Sequence, residues 1–457
     1  MFRRSAIALA LAALGSSPVW GADADLQALR AEITQMKKSY EERLAALEAR
    51  LATAEAKAAP VPAPAPAAAA VASAPAAPAS ESSFNPAISV VLAGTYVRLS
   101  QDPEAYAIGG FMPTGGEVAP PRRSFGLGES ELGIAANIDP TLRGQLTVAL
   151  APEGGADVEE AFVRALALGN GLGLQAGRFL SGIGYMNSQH AHAWDFADAP
   201  LAYKAMLGGQ MKTDGVQLKW LAPTDFFLEL GAELGAGGAF PSTDRNRNGA
   251  TVAAAFARVG GDAGDTASWR AGLSWLGTSP RERTYEDVDA AGKAVSNAFS
   301  GRSRTWLADA VWKWQPPGGQ SLVLQTEVFH RRETGRLAFD VGGAGLEDGY
   351  AASQSGGYGQ AVWQFQPRWR LGLRHDRLAS GTPAIGLIDT GVLTAADFPL
   401  LAGYTPTRNS VMVDFSPSEF SRWRLQLARD RSRSDAVDNQ LWLQYVVSMG
   451  AHGAHQY

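Results

Sequence analysis

The sequence predicts an all-β transmembrane barrel of about 16 antiparallel strands, preceded by an N-terminal α-helical coiled coil. Three observations carry this reading. The last stretch of the chain alternates apolar and polar residues over an unusual length. The same two-residue period recurs in short runs from Asn85 onward. The connections between those runs are short and long by turns.

In the closing stretch, Leu441, Leu443, Tyr445, Val447 and Met449 alternate with Trp442, Gln444, Val446 and Ser448. A side-chain period of two marks a strand, and one greasy face beside one mixed face suits lipid on one side and water on the other. An edge strand of a soluble sandwich is the alternative, but an edge so long and uncharged would invite aggregation. The aromatic end at Tyr457 resembles the C-terminal signal that the barrel-assembly machinery of bacterial outer membranes reads.

Composition narrows the class. The chain has 457 residues, of which 46% are hydrophobic and 19% charged, and after the N-terminus no apolar run reaches the roughly 20 residues of a spanning helix. A helical membrane bundle is thereby excluded, whereas a barrel hides its lipid face by alternation. A net charge of −5 gives no reason to expect nucleic acid. With no cysteine there is neither a disulfide framework nor a thiolate metal site.

Taken in order, residues 1–21 read as a signal peptide: Arg3 and Arg4, then apolar Ala6 to Leu14, then small residues near Gly21. Residues 22–57 read as a periplasmic coiled coil. Leu26, Leu29, Ile33, Met36 and Tyr40 recur at threes and fours, and Leu44, Leu47 and Leu51 continue after a stutter. So thin a stripe cannot be buried by one helix, which implies a partner; a trimer is expected, with a dimer left open. Residues 58–83, almost all Ala and Pro, form an extended spacer that could let the coil reach peptidoglycan.

Residues 84–457 form the barrel. Short turns such as Asp139-Pro140, Ala222 to Asp225, Pro316 to Gly319 and Gln366 to Arg368 alternate with expected long loops at 101–124, 181–207, 277–304, 333–354 and 379–406. Short turns on one rim and long loops on the other are the barrel asymmetry. Trp220, Trp269, Trp306, Trp314, Trp363, Trp369 and Trp423 fall near strand ends, where an aromatic girdle belongs.

The face opposite the Trp/Leu face would line a bore. Arg370, Arg374, Arg408, Arg422 and Arg424 fall on neighbouring strands as a basic wall, while Glu129, Glu131, Glu229 and Glu233 are inward acids. Charged walls select ions, although such charges also pair simply to fill a barrel. The aromatic loop at 181–207 is placed at a constriction, with Asp195 and Asp198 opposing the basic wall and a field across the passage. His190 and His192 in that loop are ligand types for zinc, a weak signal by itself. No histidine of the six falls in a triad, so no enzyme activity is expected.

The segments FNPAISVVLAGTYVRLSQDP, GESELGIAANIDP, LQAGRFLSGIGYMNSQHAHAWDF, WLAPTDFFLELGAELG, ADAVWKW and SMGAHGAHQY resemble a family of proteobacterial outer-membrane proteins. That family is similar to phosphate-selective porins, and its members are labelled porin or TonB-dependent receptor. The resemblance implies the fold more than the solute. A TonB-dependent receptor joins 22 strands to a plug and needs far more residues than the barrel region holds, so passive diffusion of small polar or anionic solutes is expected. The porin likeness also implies a homotrimer set in outer-membrane lipid and lipopolysaccharide, with no cofactor. Uptake of a metal ion such as zinc is the alternative it suggests, and a structural envelope tether is a further one.

Overall fold

The computed structural model describes residues 86–114, 118–150, 154–243, 246 and 248–450, all within the compact unit Ser80–Tyr457. The expected signal peptide, coil and spacer, and the terminal Tyr457, lie outside the described residues.

A single antiparallel sheet closes on itself. Its wall starts with β1 (Ala87–Leu99), β2 (Ser130–Asn137), β3 (Leu142–Leu150), β4 (Ala156–Ala165), β5 (Leu172–Leu180) and β6 (Lys212–Leu221). It continues with β7 (Phe227–Ala236), β8 (Val252–Asp262), β9 (Ala267–Thr278), β10 (Ala294–Trp314) and β11 (Ser321–Phe339). The last five are β12 (Leu346–Gln366), β13 (Trp369–Ala379), β14 (Thr407–Ser418), β15 (Ser421–Arg431) and β16 (Asp438–Gly450). Each pairs with the next, and β16 returns to β1 in a ladder from Ser89↔Gly450 to Leu99↔Gln440. Closure leaves none of the sixteen wall strands as a sheet edge, which resolves the hazard that the long apolar last strand would otherwise pose.

The side-chain distribution is inverted relative to a soluble protein. Leu273 and Leu373 are each 53% exposed, and Trp269, Trp306, Trp363, Trp369 and Trp423 also face outward. Arg331, Arg408 and Arg424 are among the largest fully buried side chains. Lipid contact explains the first set, and an enclosed interior explains the second. Among the described residues no helix is long and apolar enough to cross a membrane.

Two of the expected loops are corrected. Residues 277–304 hold a hairpin in which Arg283–Val288 pairs with the start of β10 (Arg283↔Phe299). Residues 333–354 are mostly strand, with β11 and β12 paired up to Phe339↔Leu346. Alternation persists in both, but the outward positions are Arg302, Arg304, Arg332, Arg336 and Glu347, so the ladders rise as charged ribbons beyond the greasy band. The apolar stripe that signals a strand ends where the lipid ends, and the hydrogen-bonded ladder does not. At this loop-side rim an apolar cluster including Tyr285, Phe299, Leu337, Phe339, Tyr350, Leu387 and Phe398 packs together.

Leu273 sits outward between Trp269 and Trp275 on β9. Leu273→Arg should destabilise the folded barrel by about 2–4 kcal/mol in lipid vesicles, measured by denaturant titration. A change within about 0.5 kcal/mol, usual for a water-facing surface site, would contradict a lipid-facing wall.

Candidate functional site

The connection between β5 and β6, residues 181–211, turns into the barrel and meets inward side chains of β2, β4 and β7–β15. Little of it is regular. One short helix, α1 (Leu201–Leu207), starts after Pro200 and ends at Gly208 with φ 70°, the left-handed cap that glycine favours. All seven helical residues are buried. Tyr203 meets Phe329 edge-on with ring centroids 5.2 Å apart, in an apolar cluster that includes Met206, Leu207, Leu307 and Leu378.

A buried irregular segment leaves backbone groups that need partners. Wall guanidinium groups supply the donors. Arg331 donates to the Ala205 carbonyl at 3.1 Å, Arg374 to Asp198 at 2.8 Å and Arg408 to Ala199 at 2.6 Å. Arg422 donates to the His192 carbonyl at 2.5 Å and Arg424 to that of Trp194 at 2.8 Å. Arg258 donates to the carbonyls of Gly182 and Gly184.

Wall acceptors take the loop N–H groups in turn. Glu233 accepts from Gly182 at 2.7 Å, Asp376 from Leu201 at 2.8 Å and the Gln426 carbonyl from Ala197 at 2.8 Å. Glu327 accepts from the N–H groups of Tyr185 (3.0 Å) and Met186 (3.1 Å), and from the hydroxyls of Tyr203 (2.9 Å) and Tyr358 (2.6 Å). Gly184 passes this carboxylate at φ 67°, and a Cβ there would collide with Glu327.

Side-chain pairs finish the attachment. Asp198 lies between Arg374 (2.8 Å) and Arg408, with Lys204 at 3.5 Å and Gln426 donating at 3.0 Å. Burial pushes its carboxyl up, but Arg408, Arg374 and Lys204 outweigh that and hold it well below the usual aspartate range. Asp195 receives Arg370 at 2.8 Å and Gln360 at 3.2 Å. At the other side of the loop, His190 Nδ1 lies 3.1 Å from Glu159, and its Nε2 lies 3.1 Å from Glu160. Burial pulls this imidazole down, yet hydrogen bonds to Glu159 and Glu160 and the charge of Glu131 keep it well above its ordinary value. His192 stacks on His190 and approaches Glu131 at 2.9 Å.

The residues expected to line a bore therefore divide in two. Arg374, Arg408 and Arg424, each under 5% exposed, are committed to the loop, and so is Glu233. Arg370 and Arg422, both within two residues of the turn-side start of their strands, also reach the loop, at Asp195 and the His192 carbonyl, but keep partial exposure. Glu229 is likewise near the turn rim and pairs with Arg258 at 2.6 Å. Glu129 and Glu131 stand at the loop-side end of the wall, where β2 begins, Glu129 half-buried and Glu131 buried.

Sequence reading missed several partners. Arg258 sits between apolar neighbours as an inward charge, a signal that was present but not assigned a role. Glu159 and Glu160, by contrast, are adjacent and both turn inward only because the β3–β4 ladder is bulged there, and Glu327 and Arg331 lie among polar neighbours that hide the alternation. Beneath the loop lies a further tier, of which the sequence marks Lys219 and Lys313 as isolated inward charges but not Arg143, Arg164 and Arg270. All five stand within four residues of the turn-side strand ends and, with Arg370 and Arg422, surround that mouth with basic groups.

No protein-family model matches the chain. An uncharacterized protein of Aquifex aeolicus (strain VF5) is 30% identical over 411 residues, covering 83% of this chain and 82% of that protein. Among solved structures, a loop-deleted form of OmpT, an outer membrane protein of Vibrio cholerae, has a TM-score of 0.50 at 12% identity. It covers 80% of this chain and 99% of that one. Pseudomonas putida OprB has a TM-score of 0.49 at 14% identity, over 80% of this chain and 94% of that one.

Removing one partner of a buried charge cluster costs far more than the cluster contributes, because the remaining charges are stranded. Arg408→Ala should destabilise the folded protein by about 3–5 kcal/mol, read by denaturant titration. The pH dependence follows from the lowered Asp198 carboxyl. Its contribution is present above the ordinary aspartate value of about 3.9 and is lost as pH falls toward its own lower value. The stability gap between wild type and Asp198→Asn should thus be level from pH 7 to pH 5 and shrink only below about pH 4.

Proposed function

This chain belongs to the same family as the uncharacterized Aquifex aeolicus protein, and we propose that it works as an outer-membrane channel for passive diffusion of small polar or anionic solutes. The observation that carries the reading is a closed sixteen-stranded wall, greasy outside and charged inside, with a loop bound across its interior. The Vibrio cholerae barrel of like fold is an outer membrane protein, which favours the same location here, with the short turns toward the periplasm.

A TonB-dependent receptor joins 22 strands to a plug; sixteen strands favour a diffusion channel instead. The loop 181–211 forms the constriction in this proposal. Wall arginines Arg374, Arg408 and Arg424 fix it, while Arg143, Arg164, Lys219, Lys313, Arg370 and Arg422 give the turn-side vestibule its basic character. A basic low-dielectric vestibule raises the local concentration of anions, which suits the phosphate-selective likeness. A homotrimer, joined through the coil of residues 22–57, completes the proposal.

Purified protein should form ion-conducting pores in planar bilayers, with a reversal potential that favours anions. Lys219→Glu with Lys313→Glu should move that potential toward cations. Unchanged reversal potentials would contradict the vestibule assignment, and absence of conductance would contradict the channel itself.

A further inference from the structure

We infer that the loop and the barrel wall share a binding site for a first-row divalent transition cation such as Zn²⁺, formed by Glu131, Glu159 and His190. The site goes beyond the channel reading and depends only on where the loop lies. One ligand atom from each residue falls within 4.8 Å of the others. His190 Nδ1 is 3.1 Å from Glu159 Oε2 and 3.3 Å from Glu131 Oε2. Donor atoms bound at 2.0–2.1 Å around a tetrahedral zinc lie about 3.3 Å apart. These edges already have that size, so an ion replaces the Nδ1 proton with little movement of the ligands.

The surroundings are those of a metal-bound imidazole. A ligating histidine usually donates its other N–H to a carboxylate, which fixes the tautomer and aims the free nitrogen. Glu160 Oε2 occupies that place, 3.1 Å from Nε2. That carboxylate is itself held by Gln145 Nε2, which donates to Oε2 at 3.2 Å, and by the Leu180 N–H, which donates to Oε1 at 3.2 Å. On the opposite side, Glu131 Oε1 lies 2.9 Å from His192 Nδ1, which leaves Oε2 turned toward the site. Within hydrogen-bond reach of His190 there are three carboxylates, and Lys212 Nζ stands 3.3 Å from Glu159. Once His190 gives up its Nδ1 proton the carboxylates of this cluster outnumber its one ammonium, a surplus of negative charge that favours a divalent cation. Mixed imidazole and carboxylate donors select zinc-like ions over magnesium, which prefers oxygen ligands and retains water.

The test is calorimetric titration of full-length, chelator-stripped protein in detergent with Zn²⁺, with Mg²⁺ as the competitor. The expected result is one site per chain that Mg²⁺ does not displace. That site should be lost in His190→Ala and Glu159→Gln, weakened about 10–100-fold in Glu160→Gln, and unchanged in a His452→Ala/His455→Ala double variant. Wild-type protein that takes up no zinc, or His190→Ala protein that binds it equally well, overturns the inference. X-ray absorption of zinc-loaded wild type decides the matter should a variant fail to fold. A shell of imidazole nitrogen and carboxylate oxygen at about 2.0 Å supports the site, and an all-oxygen shell overturns it. Conductance measured in chelator is independent of this outcome, so failure of the cation site and failure of the channel remain separate results.

Discussion

The structure depends on satisfying the backbone of an irregular segment inside a barrel. A strand in the wall exchanges its hydrogen bonds with its neighbours, but a loop crossing the interior has no ladder to join. Here arginines reaching in from β8, β11, β13, β14 and β15 donate to its carbonyls, and Glu233, Glu327 and Asp376 accept from its N–H groups. Guanidinium is suited to this work because its planar fork carries several donors and stays charged. One group can therefore hold a carbonyl and a carboxylate together, as Arg374 does with the Asp198 carbonyl and side chain.

This arrangement separates two uses of interior charge. The middle tier, around Asp198, Asp376 and Asp414, is compensated within itself and attached to the loop, so its charges act on shape. The tier near the turns is less buried and richer in basic groups; in the proposed channel it is this tier whose charges act on solutes, while the first fixes the loop they pass.

The fold is largely legible in the sequence because two-residue alternation needs no knowledge of partners. The greasy runs, from Val90 to Tyr96 through to Leu441 to Met449, fall on wall strands, with only Ile138, Leu166 and Leu168 reaching past strand ends into the turns. The runs fail to mark where β10, β11 and β12 end, since outward Arg302, Arg332 and Arg336 carry no apolar signal. The site is legible only in its ingredients. The aromatic and charged residues of the loop stand out along the chain, but their partners depend on register between strands far apart in sequence. Glu327 meets Tyr185 across 142 residues, and Arg424 meets Trp194 across 230. No spacing rule reaches that far.

Hydrogen–deuterium exchange, followed by mass spectrometry on the intact protein in detergent, tests most directly whether the loop is held inside the wall. Amides of Gly182, Tyr185, Met186, Ala197 and Leu201, each bonded to a wall acceptor, should exchange as slowly as those of β13 and β14. Exchange of the 181–211 peptides within seconds, at the rate of a free surface loop, would contradict the account.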